Sequence, residues 1–148
     1  MKYQRFNDTY VLRLEKGEEI VSSLKKFCEK ENIKLGSIEG LGATNHLVVG
    51  LFDLDEKIYH KKEFNEPFEI TSLLGNISTM NDEVYLHLHI NCADKNMNVY
   101  GGHLYECTIS VTCELFVRVI DGKVDRYKDE AIGINLYDLK ETSYESVK

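Results

Sequence analysis

Apolar residues recur along this chain at two periods. Tyr10, Leu12 and Leu14 alternate with polar neighbours, Arg13 among them, which predicts a strand with one face on a core. Gly17 breaks it. Over 18–30 the period lengthens: Ile20, Val21, Leu24, Phe27 and Cys28 form a stripe at helical spacing, with Glu18 and Glu19 at the positive end and Lys25, Lys26 and Lys30 toward the other. A stripe of this kind lays a helix on a sheet rather than lining a cofactor site.

Beyond Ile33 the signals are those of a strand-rich meander. Segments 33–41 and 46–52 read as strands, the first broken by glycines. Gly40-Leu41-Gly42-Ala43 resembles a dinucleotide fingerprint only superficially, because a strand rather than a helix follows it. A bend or a close backbone contact is expected there instead. Strands over 57–64 and 68–77 flank Asn65-Glu66-Pro67; in the second, Phe68, Ile70 and Leu74 are set against Glu69, Thr71 and Leu73. Segment 108–120 alternates as a long half-buried strand with Val111, Cys113, Leu115, Val117 and Val119 on one side. Asp121-Gly122 predicts a hairpin into 123–127, 130–139 has apolar residues to cover a sheet edge, and the tail from Lys140 is expected to fray.

The chemistry concentrates in Glu83 to Tyr105, which holds three of the five histidines. On a strand His87 and His89 share a face with Tyr85 and Asn91, while Leu86, Leu88, Ile90 and Cys92 form the apolar face. Ala93-Asp94-Lys95-Asn96 carries turn chemistry, and Met97 to Tyr105 then folds back antiparallel. A three-residue loop, either Asp94–Asn96 or Lys95–Met97, puts His103 opposite His87 or His89. A two- or four-residue loop sends it to the other face unless a bulge at Gly101-Gly102 restores the parity. Three converging neutral imidazoles with room for a water are the ligand set of an open zinc-type site, usable for catalysis or for binding an anion. Glu69, a mid-strand carboxylate, reads either as a solvated residue or as a partner for a metal-bound water. His46 and His60 lack comparable neighbours and read as ordinary surface or half-buried histidines.

Length and composition narrow the field. The 148 residues, 43% of them hydrophobic, fit a single domain, 1–148, with an ordered core over about 8–139. Eighteen basic against 25 acidic residues give a formal charge of −7, which opposes binding to a nucleic-acid backbone, and no Lys/Arg run reaches five residues. The first residues lack an apolar core of the signal-peptide kind and no apolar run is long enough for a membrane span, so a soluble, cytoplasmic protein without a membrane partner is expected. Cys28, Cys92, Cys107 and Cys113 have no CxxC spacing and read as reduced packing thiols.

Five segments in order, Arg13–Glu19 (RLEKGEE), Ile38–Ala43 (IEGLGA), Phe68–Ile77 (FEITSLLGNI), His87-Leu88-His89 and Gly101–Leu104 (GGHL), carry a resemblance over nearly the whole chain. It resembles a stand-alone member of the plants-and-prokaryotes conserved (PPC) domain family. The resemblance implies an α+β fold: a mostly antiparallel sheet with the main helix about 18–30 and minor flanking helices, assembled as a homotrimer. It also implies a zinc site that maps onto His87, His89 and His103, with Glu69 at an acidic position near the sheet centre. The family carries a DNA-binding association, but its plant members reach the minor groove through an AT-hook built around Arg-Gly-Arg-Pro. The one proline here is Pro67, in Asn-Glu-Pro, so DNA binding is disfavoured. Three functions remain: a trimeric zinc protein, with hydrolase or lyase chemistry if it is an enzyme; a regulatory or architectural module that meets DNA; and a structural oligomer whose histidine face is an interface.

Overall fold

The computed structural model describes residues 1–140. Its elements run β1 (Lys2–Phe6), β2 (Thr9–Glu15), α1 (Ile20–Lys30), β3 (Gly36–Asp53), β4 (Ile58–Phe64), β5 (Phe68–Met80), β6 (Glu83–Ala93), β7 (Val99–Val119), β8 (Arg126–Lys128) and β9 (Asn135–Tyr137). Seven strands form one antiparallel sheet in the order β1-β2-β7-β6-β5-β3-β4, and a further pairing of β7 with β3 closes β3, β5, β6 and β7 into a circuit. The expected α+β class with one main helix is what the chain adopts. The minor flanking helices are absent among the described residues, where strands and turns take their place.

Helix α1 starts at Glu19, whose carboxylate accepts from the backbone N–H groups of Val21 (2.9 Å) and Ser22 (2.7 Å). The same carboxylate accepts from the N–H of Cys107 on β7 (3.2 Å), so the cap also ties the helix to the sheet. The stripe buries Ile20, Leu24, Phe27 and Cys28, with Val21 at its margin. Phe27 meets the rings of Tyr3 and Tyr10 edge-on at 5.0 and 5.1 Å.

The strand boundaries differ from expectation for local reasons. A strand that the periodicity did not predict, Lys2–Phe6, is turned back onto Thr9–Arg13 at Asn7 (φ 55°) as an edge strand. In place of the two strands expected over 33–41 and 46–52 there is one, Gly36–Asp53, bent by register shifts at Gly40–Gly42 and again between Gly42 and Val49. A Cβ on Gly42 would lie 2.5 Å from the Thr112 carbonyl oxygen, the close backbone approach expected of this segment. In β5 a register shift at Thr71 reverses the parity, so Leu73 is buried and Leu74 is 57% exposed. Segment 108–120 is the end of a single 21-residue strand, and Val111, expected inward, is exposed. Asp121-Gly122 does not make a hairpin: β7 is already paired on both edges, Arg118 with Thr9 and with Ser37, and offers no free edge. The chain instead crosses to β5 through the Thr79–Asp125 bridge, and β8 pairs with β9. All four cysteines are buried and free, as the packing-thiol reading requires. Beyond Lys140 the expected fraying falls outside the described residues.

If the helix is clamped in this way, Phe27→Ala should lower the unfolding free energy by about 3–5 kcal/mol and Glu19→Ala by about 1–2 kcal/mol. Urea denaturation followed by far-UV circular dichroism measures both, and a neutral Glu19→Ala would remove the clamp from the account.

Candidate metal centre

The β6–β7 hairpin settles where the third histidine points. Asp94 N–H donates to the Asn98 carbonyl and Met97 N–H to the Asp94 carbonyl, both at 2.9 Å, while the Asp94 carboxylate accepts from the N–H groups of Asn96 and Asn98. Met97 takes φ 64°. This is the Lys95–Met97 loop, a three-residue turn closed by a left-handed residue, and it sets Ala93 opposite Val99 and His89 opposite His103. His103 is paired on its other side with Gly50 of β3.

Two glycines make room for this arrangement. A Cβ on Gly101 would come within 2.2 Å of Asn91 Oδ1, and one on Gly50 within 2.8 Å of the Tyr105 ring. The bare backbone lets β6, β7 and β3 approach and lets the Tyr105 ring lie across β3.

The three imidazoles converge. Their centroids are 5.0 Å (His87–His89), 5.4 Å (His87–His103) and 5.6 Å (His89–His103) apart, and one nitrogen from each lies within 4.8 Å of the others. His87 Nε2 and His89 Nε2 are 3.2 Å apart. Burial pushes the His103 pKa down to about 4, with His87, His89 and Lys61 adding to the effect. Burial likewise lowers His87, helped by His89 and Arg126. Both rings are therefore neutral near pH 7, the form that binds metals. His103 Nδ1 is buried without a hydrogen-bond partner, and such an atom costs about 1–3 kcal/mol if left unsatisfied. A lone pair directed at a cation meets that need, so the donor set fits a divalent ion.

Tyrosines wall the cluster. Tyr59 and Tyr105 rings lie 5.3 and 5.1 Å from the His103 ring, and burial raises both phenol pKa values, keeping them protonated. Arg126, on β8, reaches this face: it donates to Asn76 Oδ1, opposite His87, and its guanidinium stacks on Tyr85. No spacing or motif pointed to Arg126, because its contacts depend on the crossing of β8 to β5.

Glu69 does not join the cluster. It is exposed and faces Ala93, four residues along β6 from His89, roughly 13 Å at strand spacing. His46 is half-buried and bonded to Glu63 (3.1 Å), and His60 is exposed, near Glu56 (3.1 Å) and Asp53 (3.7 Å). Asp53, Glu56 and His60 also come together as three potential ligands, a group that sequence reading missed because Asp53 and Glu56 bracket a turn.

The comparisons with known proteins agree with this architecture. A crystal structure of a candidate DNA-binding protein from Bacteroides thetaiotaomicron is 35% identical, with 93% of this chain and 96% of that one covered and a TM-score of 0.91. The crystal structure of a metal-containing protein from Archaeoglobus fulgidus is 34% identical, covering 93% and 99% of the two chains, with a TM-score of 0.83. Among curated proteins, the bifunctional protein GlmU of a Synechococcus strain is 28% identical over 127 residues; these are 84% of this chain but 19% of GlmU, so the chain spans less than a fifth of that relative. The family model of the Plants and Prokaryotes Conserved (PCC) domain matches residues 1–121, and the chain belongs to that family.

Proposed function

We infer that the chain is a metal-binding member of its family, working as a cytoplasmic homotrimer, with His87, His89 and His103 as protein ligands of one zinc ion. The observation that carries this reading is the convergence of three imidazole nitrogens within 4.8 Å. Zinc holds histidine nitrogens at 2.0–2.1 Å, which sets neighbouring ligands of a tetrahedron about 3.3 Å apart, close to the 3.2 Å between His87 and His89 Nε2. The description of the Archaeoglobus relative as metal-containing supports it.

Three protein ligands leave one position open, and a bound zinc would there supply Lewis acidity of the kind hydrolases and lyases use. The chain's own contribution is to keep His87 and His103 neutral by burial and to wall the site with Tyr59 and Tyr105. Glu69 is too distant within one protomer to take a proton there, so no general base is assigned to it.

Self-association is supported by the outer face of the sheet. Val11 pairs with Phe116, Phe116 with Glu39, Glu39 with Leu74 and Leu74 with His89. In this cross-strand row Phe116 and Leu74 are 50% and 57% exposed, and Leu41 nearby is 60% exposed. Apolar residues gathered on one face mark a surface that a partner covers. The four buried thiols suit a reducing compartment, and no helix among the described residues is long and apolar enough to cross a membrane.

Protein purified without a histidine tag should carry one zinc per chain by elemental analysis, and the His87→Ala/His89→Ala variant none. A chelator should lower the thermal midpoint of the wild type only, by the equivalent of about 2.7 kcal/mol for metal at a hundred times its dissociation constant; equal metal content in the two proteins would remove the site.

Analytical ultracentrifugation should give the mass of three chains for the wild type and of one for Phe116→Glu. An unchanged mass in the variant would move the interface elsewhere.

The description of the Bacteroides relative raises DNA binding, which the charge of −7 opposes. Plain duplex DNA should show no retardation with this protein even at low salt, and a salt-sensitive shift would reinstate the regulatory reading.

A further inference from the structure

Two cations, Arg126 and Lys61, flank the histidine face. Arg126 is 8% exposed. It donates to Ser78 Oγ (2.8 Å), Asn76 Oδ1 (2.9 Å) and the Asn135 carbonyl (3.0 Å), and lies between the rings of Tyr85 and Tyr137. Every one of these partners is neutral, and among the described residues no carboxylate pairs with it. A guanidinium stays charged under all ordinary conditions, so these contacts satisfy its N–H groups and leave its charge uncompensated. Asn76, which accepts from Arg126, lies opposite His87, so the guanidinium sits beside the histidine face.

Lys61 approaches from the opposite side. It pairs with Gly50, which pairs with His103, and its Nζ lies 3.6 Å above the centre of the Tyr105 ring. It forms no ion pair among the described residues. The cluster itself contains only histidines. A divalent ion on three neutral imidazoles would keep its full charge, with two further cations nearby and no carboxylate among the described residues of the cluster to offset it. Such a site favours a dication that arrives with an anion over a dication alone.

Resting on the metal reading, we propose that the histidine centre binds a small oxyanion together with its metal, and that Arg126 and Lys61 supply the charge that recruits it. Metal and oxyanion then strengthen each other's binding by the same factor. A carboxylate and a tetrahedral oxyanion share this chemistry; planar acetate and tetrahedral sulfate serve as the two probes.

The experiment is isothermal titration of the full-length, untagged protein with zinc chloride, with acetate and with sulfate, each anion added with and without zinc. The zinc-loaded wild type should bind at least one of the anions, and that anion should tighten zinc. Arg126→Gln should weaken the anion about tenfold with zinc stoichiometry unchanged. Because Arg126→Gln also removes contacts that hold β8, the exposed Lys61→Gln is the second variant, expected to weaken the anion about threefold. Zinc binding with no anion binding, or with anion binding indifferent to both variants, overturns the proposal and leaves the metal reading standing. Anion binding that needs no zinc yet weakens in the variants, in a protein that takes up no zinc, overturns the metal reading and keeps the charge assignment. Binding of neither overturns both.

Discussion

The pairing register of β6 with β7 is the constraint on which the site depends. Side chains alternate faces with period two, so a slip of one residue would turn His103 into the core and bring Leu104 out. Three features hold the register. Asp94 ties the Lys95–Met97 loop through its carboxylate and its backbone. The alternate residues Leu88, Ile90, Cys92 and Leu104 are buried, so a slip would expose them and bury imidazoles. His103 also pairs with Gly50 on its far side, so two neighbouring strands would have to slip together. The site is rigid for the same reason that the sheet is.

Much of this could be read from the sequence. The alternation in β2, the stripe of α1 and the shared face of His87 and His89 are local periodicities, and local periodicities survive into the fold. The hairpin was legible up to a choice of loop, because Asp94 and Asn96 announce a turn without fixing which residue takes the left-handed conformation; Met97 does so here. The larger failures are non-local. Asp121-Gly122 has the composition of a hairpin turn, yet the edge it would return to is occupied by β2 and β3. Leu74 keeps the alternation of Phe68 and Ile70 on paper, but the register shift at Thr71 reverses it. Arg126 reaches the site only because the chain crosses to β5, and no spacing rule relates residue 126 to residue 87.

Net charge and local charge have opposite signs in this protein. A formal charge of −7 describes the surface as a whole. Around the histidines the nearby charges named by their effect on the rings are Arg126 and Lys61, both positive. Such a segregation keeps polyanions away by long-range repulsion, screened beyond about 8–10 Å at moderate salt, while leaving a short-range field that suits a small anion able to enter the site. Among the described residues the cluster holds three histidines and no carboxylate. A binding site for a bare cation would gain from acidic neighbours, and 25 acidic residues were available to supply them.

The outer-face row that contains Leu74 and Phe116 also contains His89, directly opposite Leu74. Any surface that covers Leu74 takes water away from His89 as well. Assembly on that face and ligation by His89 would then depend on each other, since a partner there sets what reaches the open side of the site and linkage makes any such effect reciprocal. A trimer formed here would be more than a way of covering apolar surface. It would add cover at His89, exposed at the rim, of the kind that His103 obtains within its own chain from Tyr59 and Tyr105.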